Sequence, residues 1–131
     1  MDNKTKIEQA LIALLGRTNL DAFVIFEDDR TGKFVQFTGS PTEGLMLDLP
    51  MQTLSTDEAE NANQLFKSLG QSGPNRYPLF TDEKMEVIAG MQTSFQLTLG
   101  QKTAEATKLT MAIFKQVYGF PAEFNLTITE N

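Results

Sequence analysis

The 131-residue sequence has no cysteine, no histidine and no tryptophan. Without cysteine there is no disulfide, no thiolate nucleophile and no thiolate metal site. That absence suits a reducing compartment, and equally any compartment in which the core alone supplies stability. Without histidine the chain lacks the commonest general base and metal ligand, and with it every Ser-His or Cys-His nucleophile pair. Any chemistry must rest on carboxylates. Positive charge is scarce too, with 11 Lys and Arg against 17 Asp and Glu, a formal net charge of −6 and a pI near 4.6. The basic residues are scattered, whereas a phosphate backbone needs them clustered, so nucleic acid is not an expected partner. No segment approaches the roughly 20 apolar residues that span a bilayer. Met1-Asp2-Asn3-Lys4 runs straight into an amphipathic segment, without the apolar core of a signal peptide. The expectation is an acidic, cytoplasmic chain with no membrane partner.

With 40% hydrophobic and 21% charged residues, the composition is that of a globular protein, and the length suits one domain over 1–131. The organising stretch is Ala22 to Gly39, a predicted β-hairpin. Its halves, Phe23-Val24-Ile25-Phe26 and Phe34-Val35-Gln36-Phe37, are aromatic and β-branched, and Asp28, Asp29 and Gly32 supply the reversal between them. Both faces of the first half are apolar, which predicts a strand covered on each side. In the second, Val35 and Phe37 share one face, and the other is wetter.

Before the hairpin, Ile7, Ala10, Leu11, Leu14 and Leu15 recur at helical spacing over residues 4–16, ended by Gly16. After it, Pro41 to Gly44 turns the chain, and Leu45, Leu47 and Leu49 alternate with Met46 and Asp48 as a third strand closed by Pro50. Ser55-Thr56-Asp57-Glu58 is a capping-box helix start. Ala62, Leu65, Phe66 and Leu69 form the stripe that covers the meander, and Gly70 marks the left-handed end. Residues 71–83 read as an irregular connection carrying Tyr77, Leu79 and Phe80, followed by a short strand at Lys84–Ala89. Phe95, Leu97 and Leu99 alternate with Gln92, Ser94, Gln96 and Thr98 as the next strand. A helix follows from about Lys102 to Tyr118, with Ala106, Leu109, Ile113 and Val117 inward and Thr110 and Phe114 flanking them. Phe124, Leu126 and Ile128 make a last, edge strand. The order α-β-β-β-α-β-β-α-β predicts an α+β domain with a mainly antiparallel sheet and helices packed on it.

Few residues carry chemistry. Glu27, Asp28 and Asp29 read as a solvated hairpin tip, since Arg30 and Lys33 follow with no regular oxygen spacing. Asp48 stands within an apolar strand and is expected to be exposed or paired with a Lys; desolvated, it is the one candidate functional carboxylate. Gly70-Gln71-Ser72-Gly73 lacks the Lys of a phosphate loop. No catalytic, cofactor-binding or metal-ligating residue is assigned, and no cofactor is expected. The Met residues at 46, 51, 85, 91 and 111 suit gap filling or an adaptable surface.

The stretches FVIFEDDRTGKFVQFTGS, GLMLDLPMQTLS and AEFNLTITEN, with the order of elements, resemble the superfamily that groups type III secretion chaperones with bacterial YbjN-like proteins of unknown function (TY-Chap). The likeness in element order covers nearly the whole chain. It implies a compact α+β unit, frequently dimeric, that holds a partner polypeptide along apolar surface and brings no catalytic residues. This chain departs from the simplest secretion-chaperone pattern by an additional C-terminal strand. Two functions follow as expectations. The first is a protein-binding, chaperone-like homodimer using Phe34, Met46, Tyr77 and Phe80 as contacts. The second is a small-ligand site or carboxylate-dependent hydrolase centred on Asp48 with Gln36 or Gln92.

Overall fold

The computed structural model describes residues 1–71, 73–78 and 91–131 and, within these, the backbone alone of 75–78 and 91–92. Helix α1 (Asn3–Leu15) leads into β1 (Phe23–Asp28), β2 (Phe34–Ser40) and β3 (Gly44–Pro50). Then come α2 (Thr56–Ser68), β4 (Asn75–Pro78), β5 (Met91–Gly100), α3 (Thr103–Ala112) and β6 (Leu126–Glu130). The order is the one the sequence predicts, and the class is α+β. The described strands form one antiparallel sheet of six, in the spatial order β4-β5-β3-β2-β1-β6. The meander is its centre, β5 returns beside β3, and β6 crosses to the far edge beside β1.

Alternation decides which side is dry. Val24, Phe26, Val35, Phe37, Leu45, Leu47 and Leu49 point to one face and are fully buried, each strand offering every second residue to the core. Opposite strands place them in rows, Val24 beside Phe37 and Phe37 beside Leu47. Phe26 meets Phe37 edge to face at 6.3 Å, and Phe95 of β5 stacks on Phe66 of α2 at 5.0 Å. The helices bring Ile7, Leu11, Leu14, Phe66, Ile113 and Phe114 to the same cluster.

The principal cover of the meander is α1, which packs on β1, β2 and β3, rather than α2, which packs mainly on the turn that ends α3. Asp2 caps α1 by accepting the Thr5 N–H at 2.8 Å. Asn3, buried at that end, donates to the carbonyls of Ala122 and Phe124 and so pins the approach to β6. Gly16 closes α1 in a right-handed conformation, φ −90°, so its freedom of handedness is unused.

Helix α2 has the predicted capping box: the Ser55 hydroxyl accepts from the Glu58 N–H and the Glu58 carboxylate from the Ser55 N–H. It ends with Gly70 at φ 82°, with Gly70 N–H on the Lys67 carbonyl and Gln71 N–H on that of Phe66, the paired bonds of a Schellman end. Leu69, placed in the buried stripe by spacing, is instead 47% exposed. It is the residue at which the helix stops, and α3 does not extend over it.

One further expectation needs correction. Within the connection read as irregular, Asn75–Pro78 is a strand paired with Met91–Ser94. Pro74 precedes it and Pro78 is its last residue, so the two breakers stand at the ends, where a missing N–H weakens pairing least. The strand expected at Lys84–Ala89, with Leu79 and Phe80, lies outside the described residues. Helix α3 runs on from Ala112 as a π-helical turn, Ile113–Val117, in which Tyr118 N–H reaches back five residues to the Ile113 carbonyl. Thr107 and Thr110, both buried, satisfy their hydroxyls on the carbonyls four residues earlier, at 2.8 Å each.

Gly44 and Gly100 meet where β3 begins and β5 ends. Gly44 has φ 76°, and a Cβ there would lie 2.5 Å from the Gly100 Cα. At Gly32, in the β1–β2 loop, φ is 75° with nothing within 4 Å. Gly32→Ala therefore incurs only the left-handed backbone cost, about 1 kcal/mol. Gly44→Ala adds a backbone collision and is expected to cost about 3 kcal/mol or more. Denaturant unfolding of the two variants checks the difference, and equal losses would contradict the close approach.

Candidate functional site

The opposite face of the sheet has no helix against it among the described residues. The register places Phe23, Thr38, Met46 and Thr98 in one row across four strands. The next row is Thr129, Ile25, Gln36, Asp48 and Gln96. Phe23, Ile25, Phe34 and Met46 are all half-buried there. Among the described residues, β1 carries a helix on its Val24 side only; the Val24 face enters the core, and Phe23 and Ile25 on the other are half-buried.

Along this face runs a concavity of about 1000 Å³, walled by the connection from α1 to β1 and floored by Phe23, Gln36, Thr38, Met46, Asp48, Gln96 and Thr98. Leu20, at 89% exposure, stands on the wall. Among the described residues the charged side chains lining it are Asp21, Glu43 and Asp48. At its centre the Gln36 Nε2 donates to Asp48 Oδ2 at 3.0 Å. Asp48 is half-buried rather than exposed, and Gln36 is one of its partners. The reason is register: Gln36 lies directly opposite Asp48, and directly opposed side chains on one face are within bonding reach.

Of the four predicted contact residues, Phe34 and Met46 share this face, at opposite ends of the Gln36–Asp48 pair. Tyr77 occupies a register position opposite Gln92, with its side chain outside the description, as is that of Gln92, and Phe80 falls in the undescribed stretch. Leu20, Phe23 and Ile25 were missed as surface residues. The signal was present in the neighbours, since Gln36, Thr38 and Asp48 already mark the face that Phe23 and Ile25 share as wet.

Two tethers hold the start of β2, from which Phe34 projects. The Tyr118 hydroxyl donates to the Phe34 carbonyl at 2.6 Å, and Tyr118 stands against Phe114 and Phe120 in an aromatic cluster. Burial pushes the phenol well above its ordinary value, the Glu58 charge adds to this, and the bond to Phe34 opposes it. One residue earlier, Lys33 Nζ lies 2.8 Å from Glu58 Oε1, tying the hairpin to the cap of α2. Burial of Glu58 works to raise its pKa, but the bonds from Lys33 and Ser55 outweigh it and hold the carboxyl below 4.5. The loop before Lys33 is not simply a solvated tip either: Asp28 is buried and accepts both the N–H and the hydroxyl of Thr31.

Among the described residues no group of three acidic side chains is placed to hold a metal ion. None of the described helices is long and apolar enough to cross a membrane. No family model, no curated protein and no solved structure matches this chain.

The lowered Glu58 pKa has a sign. A carboxyl that titrates below its unfolded value contributes stability above that value, and the contribution is lost as pH falls through the folded pKa. Glu58→Gln keeps an acceptor for the Ser55 N–H and removes the ion pair with Lys33. It is expected to cost about 0.5–1 kcal/mol at neutral pH, and thermal melts of variant and parent should converge as pH falls through the lowered folded pKa.

Proposed function

We propose that this chain is a protein-binding, chaperone-like module that acts without catalysis. It uses the helix-free sheet face to hold a partner polypeptide and, in the cytoplasm, a second copy of itself. The observation that carries the reading is the half-buried apolar set Phe23, Ile25, Phe34 and Met46 on a sheet face that no described helix covers. Contiguous apolar surface of this kind marks interaction sites more than it marks ordinary solvent-facing sheet. The resemblance of FVIFEDDRTGKFVQFTGS and GLMLDLPMQTLS to the secretion-chaperone and YbjN-like superfamily points the same way, as that group holds polypeptides along apolar surface. Among the described residues the charged side chains that line the concavity, Asp21, Glu43 and Asp48, are all acidic, which disfavours an acidic partner segment.

A second reading, a small-ligand site or carboxylate-dependent hydrolase centred on Asp48, draws support from the Gln36–Asp48 hydrogen bond inside the concavity. Under that reading Asp48→Asn abolishes the stabilisation given by whatever ligand a thermal-shift screen finds. An unchanged shift removes it.

For the first reading, light scattering of the purified protein should give twice the 14.6 kDa chain mass. Met46→Lys, on the open face, should weaken that association at least about tenfold. A monomer at all concentrations, or a dimer indifferent to Met46→Lys, rejects the dimer and its placement on this face.

A further inference from the structure

A second concavity, of about 480 Å³, lies on the helical side of the sheet, between the end of α2, the end of β5 and α3. It plays no part in the protein-binding reading. Its lining is leucine-rich, with Leu65, Leu69, Leu97, Leu99 and Leu109 completed by Ala112. Leu97 and Leu99 alternate with the polar residues of β5 on the same side as Phe95. Phe95 is 1% exposed beneath Phe66, whereas Leu97 and Leu99 are half-buried. Leu97 and Leu99 line the groove together with Leu65 and Leu69 at the end of α2 and Leu109 and Ala112 of α3, and are partly open to it. A trough of this volume with an apolar floor falls within the range of small-molecule sites, about 300–1,000 Å³.

The rim supplies the orientation. Lys102, Glu105 and Lys108 line it from α3. Lys102 lies 4.0 Å from Glu105, while Lys108 makes no ion pair among the described residues. In a chain of net charge −6, this is a leucine floor beside a rim whose described charges are two cations and one carboxylate. An apolar tail is favoured by the floor and one negative charge by the rim. A second negative charge would exceed the net single positive charge of this described rim and meet Glu105.

We propose that this groove binds a monoanionic single-chain amphiphile of the fatty-acid class, its alkyl chain along Leu69, Leu97 and Leu99 and its carboxylate on Lys108 Nζ. The groove and the open sheet face share Thr98 of β5 in their linings, whereas the leucine floor and Lys108 belong to the groove alone.

The test titrates decanoate, below its micellar concentration, into the full chain by calorimetry, with octanoate and decylammonium as comparisons. Saturable 1:1 binding is expected, tightening about two- to fourfold with each methylene between octanoate and decanoate. Lys108→Glu should weaken it about tenfold or more, and Leu69→Asp, at an exposed position that folding tolerates, should abolish it. Decylammonium should bind far more weakly than decanoate. Equal affinity for decylammonium, unchanged affinity in either variant, or no saturable binding of decanoate overturns the proposal; the last outcome would suit a groove that receives a protein helix instead.

Discussion

The structure depends on burying one side of an antiparallel sheet. Fully buried side chains from β1, β2 and β3 present a continuous apolar surface to the helices, and burial at about 25 cal/mol per Å² of apolar area is the dominant favourable contribution. Every other feature is a way of closing that surface. Helix α1 lies over the meander, α2 brings Phe66 onto Phe95, and the end of α3 supplies Ile113, Phe114 and Val117. The helices spent on this face leave none described for the other.

The seams of the roof are closed by polar contacts between residues far apart in sequence. Asn3 holds residues 122–124, Arg17 meets Glu130 at 3.1 Å, Lys33 meets Glu58, and Tyr118 reaches the Phe34 carbonyl. Asn61 donates to the Val117 carbonyl at 3.5 Å, giving a partner to one of the carbonyls at the end of the π turn. Individually such contacts are worth about 1 kcal/mol. Their effect is geometric: they set how the hairpin, α2 and the C-terminal segment meet, and hence which way Phe34 and its neighbours face.

The two concave regions differ in kind because they come from different ends of the same arrangement. The open face is broad, mixed and acidic, built from residues that a pleated strand must turn away from its core. The leucine groove is narrow and apolar, and lies between the end of α2, the end of β5 and α3. A surface of the first kind suits the extended contact proposed for a polypeptide. One of the second kind suits a single chain of methylenes with its charge at the rim.

Much of this was legible in the residues themselves. Alternation of Leu45, Leu47 and Leu49 with Met46 and Asp48 set β3 and its faces, and Ser55 with Glu58 set the start of α2, because local geometry and short-range hydrogen bonds need only neighbours in the chain. The sequence by itself therefore determined the α+β class, the order of elements and most of their positions, though not that of β4. Only the tertiary structure decided that α1 covers the meander, that Leu69 emerges, that Gln36 faces Asp48 and that Phe23 and Ile25 look outward. Those outcomes follow from long-range packing and register: an apolar residue is buried only if some distant element arrives to cover it, and no local pattern records that arrival.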